Sequence, residues 1–126
     1  MRVLHLEDST TKYMDIKSVL RSVGIVDVVW EESVEAGMKH LEHPEEAFDL
    51  VISDMHFPVD INGTADEEAG EILLKKMREK GIRIPVIIIS SLSIHISEAY
   101  KCIWYVDSRD WETELRNCIK ELMSQK

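Results

Sequence analysis

Three carboxylates close apolar runs in this chain. Glu7 and Asp8 follow Val3-Leu4-His5-Leu6, and Asp54 follows Phe48-Asp49-Leu50-Val51-Ile52-Ser53. Short runs rich in Val, Ile and Leu read as buried strands, and the polar residues after them as the starts of loops. If the two strands are parallel neighbours, all three acids converge at one edge of a sheet. Acids crowded in this way call for a cation, and oxygen ligands suit a hard divalent ion such as magnesium, with water and a backbone carbonyl near His56 completing its shell. Asp54, which ends the central run, is the better nucleophile: its carboxylate can attack phosphorus to form an acyl phosphate. The ion would bridge it to the phosphoryl oxygens and neutralise charge during transfer. Ser90 supplies a hydroxyl beyond the run Pro85-Val86-Ile87-Ile88-Ile89, on the same edge, with Ser91 less well placed. Each residue has a plainer reading, because acids and serines after strands also serve as solvated loop residues or helix caps.

The elements that must position these groups alternate in type. Val3 to Leu6 is a first strand. Ser9 or Thr10 can cap a helix whose stripe is Ile16, Val19, Leu20 and Val23, ended by Gly24. Ile25 to Trp30 is a second strand, and Ser33 opens a helix bearing Val34, Met38 and Leu41 that stops before Pro44. Leu50 to Ser53 forms the third strand. After a long turn, a helix is expected from about Asp66 to Lys80, closed by Gly81. Pro85 to Ile89 is nearly all aliphatic, as for a parallel strand covered on both faces. The pattern then predicts a short, weak helix over Leu92 to Tyr100, a fifth strand over Ile103 to Val106 and a final helix from Asp110 to Met123. Five strands alternating with five helices predict a doubly wound α/β sandwich, in which ligands gather beyond the carboxyl ends of the strands.

Composition narrows the function classes. The 126 residues suit one compact domain, and a net charge of −9 without a basic stripe argues against direct binding to nucleic acid. No apolar stretch reaches the roughly 20 residues that cross a bilayer, and no secretory cleavage pattern follows Met1. Cys102 and Cys118 are too few for a disulfide scaffold and fit reduced residues of a cytoplasmic chain. The five histidines lack metal-ligand spacing; His40 and His43 fit structural or solvent-facing roles. Hydrolase signatures and phosphate-cradling glycine loops are absent from the sequence.

Taken together, Leu6-Glu7-Asp8, Ile52-Ser53-Asp54-Met55-His56-Phe57-Pro58, Ile84-Pro85-Val86-Ile87-Ile88-Ile89-Ser90-Ser91 and Tyr105 carry a family likeness. Over residues 1–126 the chain resembles the receiver domain of two-component response regulators, of the CheY-like superfamily. The resemblance implies a flavodoxin-like (βα)5 fold with a parallel sheet in the order 2-1-3-4-5. It implies Asp54 as phosphoacceptor, Glu7 and Asp8 as a magnesium-binding pair, Ser90 as the hydroxyl that senses the phosphoryl group, and Tyr105 as an aromatic switch. It also implies a histidine kinase or phosphotransfer protein as donor. The output would be a downstream protein, or an effector domain of the same regulator, docking on the fourth helix, fifth strand and fifth helix.

Two features depart from the pattern. The family usually carries Lys-Pro after the fifth strand, the lysine pairing with the phosphoryl group; here Ser108 and Arg109 stand there, beside Asp107. Arg109 is expected to reach the last helix or solvent rather than fold back, and Lys101 precedes the strand. Residues 59–70 also make a longer connection than usual, with four acids and no base. The leading expectation is therefore a phosphorylatable receiver, with self-phosphorylation and autodephosphorylation as its only chemistry. Its competitor is a degenerate receiver that binds partners regardless of phosphorylation.

Overall fold

A computed structural model describes residues 1–125. The chain forms β1 (Arg2–Leu6), α1 (Thr10–Ser22), β2 (Asp27–Glu31), α2 (Val34–Leu41), a 3-10 turn (Pro44–Glu46) and β3 (Leu50–Ser53). It continues through the two-residue strands β4 (Phe57–Pro58) and β5 (Ala65–Asp66), then α3 (Ala69–Glu79), β6 (Val86–Ser90), β7 (Lys101–Trp104) and α4 (Trp111–Ser124). Five parallel strands make the main sheet in the order β2-β1-β3-β6-β7; β4 and β5 form a separate antiparallel hairpin. With the hairpin set aside, this is the expected 2-1-3-4-5 order of a doubly wound fold.

Side-chain alternation along the strands divides the core. Val3, Leu50, Ile52, Ile87, Ile89 and Ile103 pack with α1 and α4, whereas Leu4, Leu6, Val51, Val86 and Ile88 pack with α2 and α3. Each fully buried aliphatic side chain contributes about 1.5–3 kcal/mol of transfer free energy. Ser9 caps α1 by accepting from the Lys12 amide, and Ser33 caps α2 by accepting from Ala36. Gly24 and Gly81 follow α1 and α3 with φ of +86° and +71°, the left-handed geometry that ends a helix cheaply only at glycine.

Three expectations fail in informative ways. The helix expected over Leu92 to Tyr100 does not form: between β6 and β7 the chain runs through turns. Ser91-Leu92-Ser93-Ile94-His95-Ile96 alternates polar and apolar residues with a period of two, and serine competes with helix by bonding locally. Ile96 is buried and Ile94 packs beside it, so the segment covers the sheet without a helical stripe. α3 starts at Ala69 rather than Asp66, because Asp66 pairs with Phe57 in the hairpin. β7 comes two residues early, ending at Trp104 opposite Ser90.

The 59–70 insertion is thus an ordered ribbon over its first part. A turn bonds the Gly63 amide to the Asp60 carbonyl, and Asn62 adopts φ 63°. Val59 accepts from the Glu35 amide and Ile61 donates to the Glu35 carboxylate, tying the ribbon to the start of α2.

His40 ties α2 to its surroundings. Its Nε2 lies 2.7 Å from Glu31 and its Nδ1 2.8 Å from Glu46. Partial burial opposes the charged ring, but the hydrogen bonds to Glu46 and Glu31 outweigh it and raise the pKa above 6.5. A raised histidine value means stabilisation fully present below 6.5 and lost as pH climbs through the folded value. His40→Gln should therefore cost about 1 kcal/mol near pH 6 and clearly less near pH 8, read by urea unfolding. An equal cost at both would remove the charge from the account.

Candidate functional site

The parallel pairing of β1 with β3 decides where the acids go. Leu6 stands opposite Ser53, and the Asp54 amide donates to the Leu6 carbonyl at 3.0 Å, so the chain leaves both strands at the same level. One carboxylate oxygen each from Glu7, Asp8 and Asp54 then falls within 4.8 Å of the others. This arrangement can hold a metal ion.

The three acids differ in setting. Glu7 is buried, Asp54 half-buried and Asp8 exposed. The Trp30 indole donates to the Glu7 carbonyl at 2.7 Å, and the Ser9 amide donates to its carboxylate at 3.2 Å. Burial pushes the Glu7 carboxyl up to about 7; Lys12 opposes that rise and Asp54 adds to it. Asp54 is oriented by its own loop, with the Met55 amide donating to Oδ1 at 2.7 Å.

Lys12 is the residue that sequence reading missed. It sits in the first turn of α1, and its buried ammonium is 3.0 Å from Asp54 Oδ1 and 3.1 Å from Glu7 Oε1. It also donates to the Ile89 carbonyl at 2.6 Å, and it lies 5.4 Å from the centre of the Tyr105 ring. A cation reaches the acids from the first helix, then, and not from the segment after β7. Only its place was readable in the sequence, four residues beyond Asp8 on a helix capped by Ser9; the packing of the helix turns it inward. His5 also went unremarked. It is fully buried, its ring nitrogens have no hydrogen-bond partner among the described residues, and burial first, then Lys12, holds its pKa down at about 3.

Ser90 ends β6 on the same edge, buried, where its hydroxyl accepts from the Leu92 amide at 3.1 Å. That contact is a turn cap rather than the helix cap that was the alternative. Tyr105 follows β7 instead of lying in it, packs on Trp111, and donates its hydroxyl to Asp15 of α1 at 2.5 Å. Burial and the Asp15 carboxylate raise its pKa. The His56 side chain is exposed and outside the acid cluster, so only its backbone remains relevant to a metal. Arg109 pairs with Glu114 of α4 at 2.6 Å, as expected, and Ser108 is exposed. Both cysteines are free. Among the described residues no helix is long and apolar enough to cross a membrane.

No family model matches the sequence, and no curated protein does. Solved structures do match. The response regulatory domain of mrkE from Klebsiella pneumoniae superposes with a TM-score of 0.76 at 15% identity, over 99% of this chain and 97% of that one. The chain has the receiver-domain fold. The response regulator TrrA from Thermotoga maritima, solved in complex with magnesium and beryllium fluoride, gives 0.74 at 21% identity over 96% and 97%. RcsB from Salmonella enterica, bound to promoter DNA with a beryllium fluoride phosphomimetic, gives 0.73 at 20% identity over 97% of this chain and 67% of its own. In this receiver fold the acids occupy the carboxyl ends of β1 and β3, where α/β sheets of this type place their ligands.

Proposed function

We propose that this chain is a phosphoacceptor receiver in two-component signalling, taking a phosphoryl group on Asp54 from a phosphohistidine donor. The observation that supports it is the convergence of Glu7, Asp8 and Asp54 at one sheet edge with a buried ammonium beside them. Magnesium fits the donor set, since three carboxylates are hard oxygen ligands; Glu7, Asp8, Asp54 and a carbonyl near His56 would hold it. When bound, it would offset negative charge on the transferring phosphoryl group.

The chain's own part is nucleophilic. The Met55 amide and Lys12 both engage Oδ1 of Asp54, so Oδ2 is the oxygen that carries neither contact. Oδ2 attacks phosphorus, the phosphorus–nitrogen bond of the donor breaks, and its electron pair leaves with the imidazole. Hydrolysis of the acyl phosphate returns Asp54 and inorganic phosphate, so the protein resets itself without acting on another substrate. Ser90 would sense the new charge by rotating its hydroxyl to donate to a phosphoryl oxygen, which draws the oxygen away from the Leu92 amide. That exchange would loosen the turn after β6. The affected face is this turn-rich segment with β7 and α4, where Leu92 and Trp104 are exposed; the helix expected between β6 and β7 takes no part. A histidine kinase or phosphotransfer protein in the cytoplasm is the fitting donor, and a downstream protein or effector domain the fitting receiver of the change. The competing reading, a phosphorylation-independent module, drew on a missing cation, and Lys12 weakens that ground.

The test is direct. Wild-type protein mixed with magnesium and acetyl phosphate, then quenched within seconds, should gain one phosphoryl group by intact mass, and Asp54→Asn should gain none. Failure of the wild type to label under rapid quenching, or equal labelling of the variant, defeats the proposal.

A further inference from the structure

We infer that Lys12, from the first turn of α1, is the phosphoryl-binding cation of this site; the inference rests on Asp54 being the phosphoacceptor. Its ammonium has three hydrogens and three close oxygens: the Ile89 carbonyl at 2.6 Å, Asp54 Oδ1 at 3.0 Å and Glu7 Oε1 at 3.1 Å. The carbonyl contact is neutral and anchors the group. The other two are charge pairs that can be exchanged. Neither pair has hydrogen-bond geometry, and Glu7 is the acid of the two that does not carry the phosphoryl group, so its contact is the one given up.

No other cation among the described residues pairs with Glu7 or Asp54. Arg109 is engaged by Glu114, and Lys101 is exposed on the edge strand. A phosphoryl group formed on Asp54 adds negative charge directly beside the ammonium. In this half-buried setting a charge-assisted N–H···O bond is stronger than in water, and a donor already fixed in place needs little reorganisation. Lys12 is fixed at both ends: its amide donates to the Ser9 cap and its head group to Ile89. It forms no covalent bond and transfers no proton. It moves from Glu7 to a phosphoryl oxygen and stays anchored on Ile89, the residue before Ser90. The cation therefore joins the acceptor to the end of β6, and it faces the Tyr105 ring as well.

The experiment compares Lys12→Met with wild type and Asp54→Asn, in magnesium, with acetyl phosphate as donor and intact mass as readout. Circular dichroism checks that each variant is folded. Lys12→Met should label roughly a hundredfold more slowly, the usual effect of losing one preorganised donor. Lys12→Arg, which keeps the charge, should recover part of the rate. Wild-type rate and lifetime in folded Lys12→Met would overturn the inference and leave Asp54 as acceptor untouched. An unlabelled wild type would defeat the acceptor reading, and this one with it. Should Lys12→Met not fold, a crystal structure of wild type with magnesium and beryllium fluoride decides: Nζ within hydrogen-bond distance of a fluorine supports the role, and Nζ remaining on Glu7 without such a contact excludes it.

Discussion

Lys12→Met, unfolded in urea with a chelator present near pH 8, should be less stable than wild type by about 3 kcal/mol, the usual cost of removing one partner from a buried ion pair. The premise is burial. The side chains of Lys12, Glu7 and Asp54 are 9%, 1% and 12% exposed, so water does little to screen two carboxylates left without a cation. The loss should depend on pH. Glu7 already titrates at about 7 because burial penalises its charge, and Lys12 is the strongest influence holding that value down. Without the ammonium the folded value climbs further above 4.5. A folded carboxyl with a raised pKa keeps a proton that the unfolded chain releases, so its stabilisation is present below 4.5 and lost as pH rises through the folded value. The variant should consequently sit nearer to wild type at about pH 6, where Glu7 is protonated, than at about pH 8. A variant as stable as wild type at the higher pH would mean that Glu7 and Asp54 are hydrated in solution. Added magnesium should narrow the gap, since a divalent ion replaces the missing charge.

The acids were legible because strands announce themselves twice, by aliphatic content and by the polar residue that ends them. Leu6-Glu7-Asp8 and Ile52-Ser53-Asp54 carry both marks, and parallel register does the rest. The alternation of elements likewise predicted the doubly wound sandwich, and the family resemblance its strand order. Lys12 was hidden for a physical reason. A lysine in the first turn of a helix normally extends into water, and only the packing of α1 against β1 and β6 turns this one inward. The fourth crossover was misread because Ile94 and Ile96 are apolar enough to suggest a helix, whereas their two-residue spacing suits an extended cover. The hairpin escaped notice for the opposite reason: Ala65-Asp66 has no strand character, and its pairing with Phe57-Pro58 is accompanied by long-range bonds linking Val59 and Ile61 to Glu35.

Gly70→Ala should slow labelling of Asp54 by about tenfold or more, because small misplacements of reacting groups are costly. Here the strain falls on backbone. A Cβ at position 70 would stand 3.0 Å from the Asp54 carbonyl oxygen, 3.0 Å from Met55 Sδ and 3.1 Å from Met55 Cα. The Gly70 amide also donates to the Met55 carbonyl at 3.1 Å, so α3 cannot retreat without losing that bond. Something must shift, and the loop that carries Asp54 is what lies in the way. Gly37→Ala provides the contrast. Its Cβ would come within 2.7 Å and 2.8 Å of the two Leu6 methyl carbons, a worse clash in distance but one against the tip of a side chain. Overpacking at either glycine should cost about 1–3 kcal/mol, measured by urea unfolding. Only the change at Gly70 moves the acceptor, so labelling of Gly37→Ala should stay within about twofold of wild type once both are folded. Equal labelling rates in the two variants would mean that the Asp54 loop yields freely, and that α3 does not hold the nucleophile in place.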